Sequence, residues 1–148
     1  MKKSKGFIVL GSDHAGFRLK EAIKAHLVKK RTNIVDVGVY CEQPADYPDI
    51  AKRLVWVMKK KEGNKGMLIC GTGTGMCMAA NRYKGIRASV AYDIYSAEMA
   101  RRDNDANVLC LRGRGIDAKK QVKLADIWLN TAFSGIARHS RRIRKLDR

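Results

Sequence analysis

Acidic residues are scarce in this chain: 14 Asp and Glu stand against 31 Lys and Arg, leaving a formal charge of +17 over 148 residues. Such an excess suits polyanions or phosphorylated metabolites. Cysteine is sparse too. Cys41, Cys70, Cys77 and Cys110 form no CxxC pair and no Cys/His cluster at zinc-finger spacing, so neither a disulfide framework nor a structural metal is indicated. Long apolar runs are missing. The start, Met1-Lys2-Lys3-Ser4-Lys5-Gly6, leads into a short apolar stretch before Ser12 and Asp13, far below a signal-peptide core or a membrane span. A soluble, cytoplasmic protein is therefore expected. No repeat, linker or low-complexity segment interrupts the chain, and both prolines, Pro44 and Pro48, fall in one loop. A domain of this size buries roughly 70% of its unfolded surface, so residues 1–148 are read as one domain with a basic helix or tail from about residue 135.

What is present alternates. Phe7 to Leu10 reads as a strand, and Leu19, Ala22, Ile23, His26 and Leu27 then recur with helical period. Asn33 to Val37 gives a second strand closed by Gly38, and Ile50, Leu54 and Met58 space out a second helix. Gly66 to Cys70 reads as a buried strand, Gly71 to Gly75 as a loop and Met76 to Tyr83 as a helix opened by it. Ile86 to Ala91 and Asn107 to Leu111 are two more strands around a helix near Tyr95 to Arg102, and Val122 to Phe133 suggests a largely buried helix. The expected fold is α/β: a three-layer, Rossmann-like domain with a five-stranded parallel sheet and helices on both faces. Ligands in such folds bind beyond the carboxyl ends of the strands. The residues following the first, third and fifth strands therefore define a candidate site: Asp13 and His14, Cys70 to Gly75, and Arg112 to Gly115.

Cys70-Gly71-Thr72-Gly73-Thr74-Gly75 lacks the lysine of a phosphate-binding P-loop and the spacing of a dinucleotide site. Its glycines let backbone N–H groups approach a ligand closely and lead into a helix start, where negative charge is favoured. Aldose–ketose isomerisation by proton transfer needs a base beside the carbon that carries the proton, and donors that hold the enediolate oxygens. Cys70 and the glycine loop can supply both. For Cys77 and Cys110 the plainer reading is a small core residue. His26 reads as a partly buried helix residue and His139 as a surface or hinge residue.

The chain resembles the family of type B ribose-5-phosphate isomerases and galactose-6-phosphate isomerases. The landmarks run in order over nearly its whole length: Gly11-Ser12-Asp13-His14-Ala15-Gly16, Asp46-Tyr47-Pro48, Ile69-Cys70-Gly71-Thr72-Gly73-Thr74-Gly75, Ala79-Ala80-Asn81, Gly85-Ile86-Arg87-Ala88, Asn104-Asp105-Ala106-Asn107-Val108-Leu109 and Arg138-His139. The resemblance implies an isomerase of a sugar phosphate, with ribose 5-phosphate and ribulose 5-phosphate as the default pair. It also implies no metal or organic cofactor and a homodimer, or a dimer of dimers, with sites shared between subunits. Cys70 matches the family's base, and Thr72 with the amides of Gly71, Gly73 and Gly75 matches the enediolate-stabilising loop. Asp13, Tyr47 and Asn104 match sugar-contacting positions. His14, Arg114, Arg138 and Arg142 match the phosphate grip, as expected of guanidinium groups.

One position departs from the pattern. The family usually carries a histidine before this Asn-Asp, an acid–base group for opening the furanose ring; here the residue is Asp103. Three consequences are open: Asp103 opens the ring, solution chemistry opens it, or the substrate arrives open-chain, as a tetrose 4-phosphate would. A hexose 6-phosphate such as allose or galactose 6-phosphate is a further alternative, and so is a non-catalytic subunit of such an enzyme. Nucleic acid is not the expected partner, because no aromatic residues interleave with the arginines near the chain's end.

Overall fold

The computed structural model describes residues 6–147. Five strands form one parallel sheet: β1 (Ile8–Ser12), β2 (Ile34–Asp36), β3 (Lys65–Cys70), β4 (Ala88–Val90) and β5 (Val108–Arg112), in the order β2-β1-β3-β5-β4. The first, third and fifth strands are thus the three inner ones. β1 and β3 run in register from Ile8 opposite Lys65 to Ser12 opposite Ile69, and β3 and β5 end with Cys70 opposite Arg112. Strands buried on both faces read as continuous apolar runs, which is why 67–70 and 108–111 are so uniformly hydrophobic.

Helices α1 (Phe17–Lys29), α4 (Ile94–Arg102) and α5 (Ala118–Asn130) cover one face, while α2 (Tyr47–Met58) and α3 (Thr74–Ala80) cover the other. α1 buries Leu19, Ile23 and Leu27 at four-residue steps, and α2 buries Ile50, Leu54 and Met58 likewise. Asp93 caps α4 in a reciprocal box with Ser96, and Asp117 caps α5. No helix among the described residues is long and apolar enough to cross a membrane.

The expected elements are present with shifted ends. β1 runs on through Gly11 and Ser12 because β3 lies beside it to that point. β4 is only three residues long, being paired on one side. α5 stops at Asn130, short of the expected Phe133, where Thr131 turns extended and its hydroxyl donates to the Ile127 carbonyl at 2.6 Å. The basic end is a helix rather than a tail: α6 (Ala137–Leu146) buries His139 and Ile143, one turn apart.

Candidate active site

In the order β2-β1-β3-β5-β4 the chain leaves β1 to one side for β2 and then to the other for β3, which opens a crevice at their carboxyl ends. Asp13 follows β1 directly. Its buried carboxylate accepts the amides of Ala15 at 3.0 Å and Gly16 at 3.2 Å, shaping the short 3-10 turn His14–Gly16, while its own N–H donates to the Ile69 carbonyl of β3. His14 Nδ1 accepts the Ala45 amide at 3.2 Å, so the neutral ring carries its proton on Nε2. The Tyr47 ring lies against Gly75; a Cβ there would stand 3.0 Å from the ring.

Cys70 ends β3 and is 5% exposed. The chain then turns through Gly73, whose φ of +82° is a left-handed conformation that glycine adopts without strain. The turn aims the Gly73 N–H back at Cys70 Sγ, 3.1 Å away. Thr72 is exposed, and its Oγ accepts the Thr74 amide at 3.2 Å, leaving the hydroxyl proton for a ligand. From β5, the Gly113 amide donates to the Cys70 carbonyl at 2.8 Å and the Arg114 amide to the Gly71 carbonyl at 3.2 Å. The Arg114 side chain lies beside Gly71.

Asp13, His14, Tyr47, Cys70, Gly71, Thr72, Gly73, Gly75 and Arg114 therefore share one crevice. The sequence reading passed over Arg112 as an individual. It is exposed at the end of β5, and its Nε donates to the Arg114 carbonyl at 2.6 Å, so it adds a second cation; its register opposite Cys70 was the available signal.

Asp103, Asn104, Arg138 and Arg142 are elsewhere. α4 starts at the carboxyl end of β4 and runs back along the sheet, so Asp103 at its end and Asn104 after it lie at the amino ends of the strands. The length of β5, roughly 13 Å, separates the two groups. α6 is docked at this second end by Arg87, which pairs with Asp147 at 3.0 Å and with Asp105 at 3.2 Å. Arg138 and Arg142 are exposed one turn apart on α6.

His139 corrects the sequence reading. It is 5% exposed, neither a surface residue nor a hinge, because α6 turns His139 and Ile143 inward. Its Nδ1 is 3.0 Å from Ser134 Oγ and 3.4 Å from Asp103 Oδ1. Asp103 thus stands beside a buried imidazole. His26 is partly buried as expected, with Nε2 2.9 Å from Asp126. Cys110 is fully buried and Cys77 packs half-buried against the same cluster. A hydrogen bond from the Cys110 thiol pulls Cys77 down to about 7 against the opposing effect of burial, while the Cys110 thiol itself is pushed up.

Residues 8–146 match the family model for Ribose/Galactose Isomerase. The chain belongs to that family. Ribose-5-phosphate isomerase B of Escherichia coli (strain K12) is 39% identical over 136 residues, covering 92% of this chain and 91% of that protein. The crystal structure of a ribose 5-phosphate isomerase from Thermotoga maritima superposes with a TM-score of 0.92 at 46% identity, over 96% of this chain and 97% of that one. The crystal structure of ribose-5-phosphate isomerase B from Mycoplasma genitalium, with bound ribulose-5-phosphate, gives 0.89 at 42% identity over 95% and 93%. The α/β fold is the family's, and the enzyme class is that of an aldose–ketose isomerase.

Proposed function

We propose that the chain interconverts ribose 5-phosphate and ribulose 5-phosphate, with Cys70 as the base that moves the proton between C2 and C1. The observation that carries the reading is the Gly73 N–H directed at Cys70 Sγ in a crevice floored by the glycine loop. A backbone donor on sulfur is the partner a thiolate uses. In the forward direction Cys70 removes the proton from C2 of the open aldose and the electron pair passes to the carbonyl oxygen. The resulting enediolate is held by the Thr72 hydroxyl and loop amides; the proton is returned to C1 while the O2 hydroxyl proton passes to O1, which leaves the ketone at C2. Tyr47 and Asp13 border the sugar, and His14 Nε2–H and Arg114 face its phosphate.

This crevice holds nine of the thirteen proposed residues, and we infer that the other four come from a second copy. In a homodimer the partner's Asp103, the partner's Asn104, the partner's Arg138 and the partner's Arg142 would complete each site. Exposed apolar residues support such pairing: Met78 is 67% exposed on α3, and Tyr92, Ile94 and Tyr95 stand uncovered where β4 leads into α4. Two-fold pairing would bury them, and it lets one surface serve both partners. Asp103, whose Oδ1 is 3.4 Å from His139 Nδ1, takes the ring-opening role.

The test is turnover of ribose 5-phosphate by the purified protein and by Cys70→Ala. The intact protein should convert the sugar phosphate, and the variant should lose about 100- to 10,000-fold in kcat while calorimetry shows binding retained. Undiminished turnover in the variant would remove Cys70 from the mechanism.

A further inference from the structure

A sugar phosphate carries a double negative charge, and the cations that face it do not account for a net charge of +17. Much of the excess lies away from the crevice, and on α2 it surrounds an exposed aromatic ring. Trp56 is 69% exposed, whereas the only other tryptophan, Trp128, is fully buried. Lys52, Trp56 and Lys60 follow one another at four-residue steps, so they form one stripe along the outer side of α2 and the turn after it, about 12 Å long. Arg53 and Lys59 flank the stripe, and all four cations are exposed. The Lys60 ammonium lies 4.7 Å from the Trp56 ring centroid. Among the described residues, none of Lys52, Arg53, Lys59 and Lys60 pairs with a carboxylate; the paired lysines Lys20 and Lys24 are on α1, over the opposite face of the sheet. Beside the indole runs a cleft of about 290 Å³ lined by Val37, Lys52, Arg53, Trp56 and Val57.

We infer that this face binds single-stranded nucleic acid, with a base stacked on Trp56 in the cleft and the phosphate backbone following Lys52, Arg53, Lys59 and Lys60. Stacking is sequence-tolerant because every base presents a π face, and cations in line with the ring supply the backbone contacts. The cleft has room for a single base and its walls are apolar. A duplex hides its bases and has no use for the indole. An anionic bilayer calls for a broad apolar stripe, while Trp56 is the one large apolar group exposed on the outer side of α2 beyond its first turn. A second copy of the chain would bring the same positive charges face to face. The C-terminal arginines lack interleaved aromatic residues, but α2 has what they lack.

The experiment uses the full chain and a fluorescein-labelled oligouridine in fluorescence anisotropy at several salt concentrations. Binding should weaken steeply with salt, as counterion release requires. Trp56→Ala should weaken it about 10-fold, within the range of one lost base stack. Lys52→Glu with Lys60→Glu should weaken it further and flatten the salt slope. Isomerase turnover should be unchanged in each variant, which also reports that the fold is intact. In the unmodified protein, oligouridine should quench the exposed Trp56 emission while the buried Trp128 emission persists. Equal binding by Trp56→Ala, or displacement by inorganic polyphosphate with no sensitivity to Trp56, would reduce the effect to charge and overturn the proposal. So would capture by phosphatidylserine vesicles without oligouridine binding, or a fall in sedimenting mass in Trp56→Ala.

Discussion

The Lys20 side chain is fully buried, with its ammonium 2.6 Å from both Asp36 and Glu21. Burial alone would push the Asp36 carboxyl up, but Lys20, Lys24 and the Gly38 amide outweigh it and hold the group below its ordinary value. A carboxylate whose folded value lies below its unfolded one contributes stability that is complete above about pH 4 and lost as pH falls through the folded value. Asp36→Asn should therefore remove part of the acid limb of the stability curve. At pH 7 it should cost about 3 kcal/mol, because it leaves a buried ammonium with Glu21 alone. Urea unfolding at pH 7 and pH 3.5 reads both effects, and a loss under about 1 kcal/mol at pH 7 would contradict the account. A second residue-scale expectation concerns Asp103 and its 3.4 Å contact with His139. Asp103→Ala should slow turnover of ribose 5-phosphate, which is a ring in solution, by at least about 10-fold. It should leave erythrose 4-phosphate, which cannot close a furanose, unaffected in whatever turnover the intact protein gives it. Equal losses on both sugars would take ring opening away from Asp103.

At the scale of elements, the decisive turn is the one between β3 and α3. Gly73 has φ +82°, and a Cβ there would also approach the Leu111 backbone to 3.2 Å. Gly73→Ala should cost about 1–2 kcal/mol from the left-handed backbone and swing the amide away from Cys70 Sγ. Gly63, at φ +83° with nothing near its missing Cβ, is the control. Gly63→Ala should show a similar fall in melting temperature with full turnover, and Gly73→Ala should lose kcat at least about 10-fold beyond any stability effect. Matching activities in the two variants would deny the turn its catalytic part. This turn was readable from Gly71-Thr72-Gly73-Thr74-Gly75, since glycines announce both the backbone conformation and the close approach. The same holds for the four-residue apolar steps of α1 and α2. The inward face of α6 was not readable, because a helix with one histidine and one isoleucine among five basic residues carries hardly any apolar signal. Only its docking on Arg87 and Asp103 makes His139 a buried residue. Lys20 escaped notice for a related reason: nothing local to the sequence puts Asp36, sixteen residues on, beside it.

At the scale of the molecule, the alternation of strands and helices was enough to give a parallel sheet and to bring residues after β1, β3 and β5 together. It could not say at which end of the sheet Asp103 and α6 would lie. That depends on the direction of α4 and on where the chain docks after α5. If each site draws on both subunits, Cys70→Ala and Arg142→Ala damage opposite halves. Each variant alone should be nearly inactive. Mixed in equal amounts and allowed to exchange, half of the dimers would be heterodimers with one undamaged site, so about a quarter of the sites should recover. The recovered kcat/KM, measured against the unmodified protein, checks the arrangement. No recovery after verified exchange would confine the site to a single chain.

Under the proposed pairing, the roughly 13 Å of sheet that keeps Cys70 apart from Arg142 would make the isolated chain a molecule with two unfinished halves and no way to join them. Under the proposed pairing, catalysis becomes second order in the protein itself. Dilution below the dissociation constant of the pair then silences the enzyme although every chain stays folded, and synthesis of more chain raises output faster than in proportion to its amount.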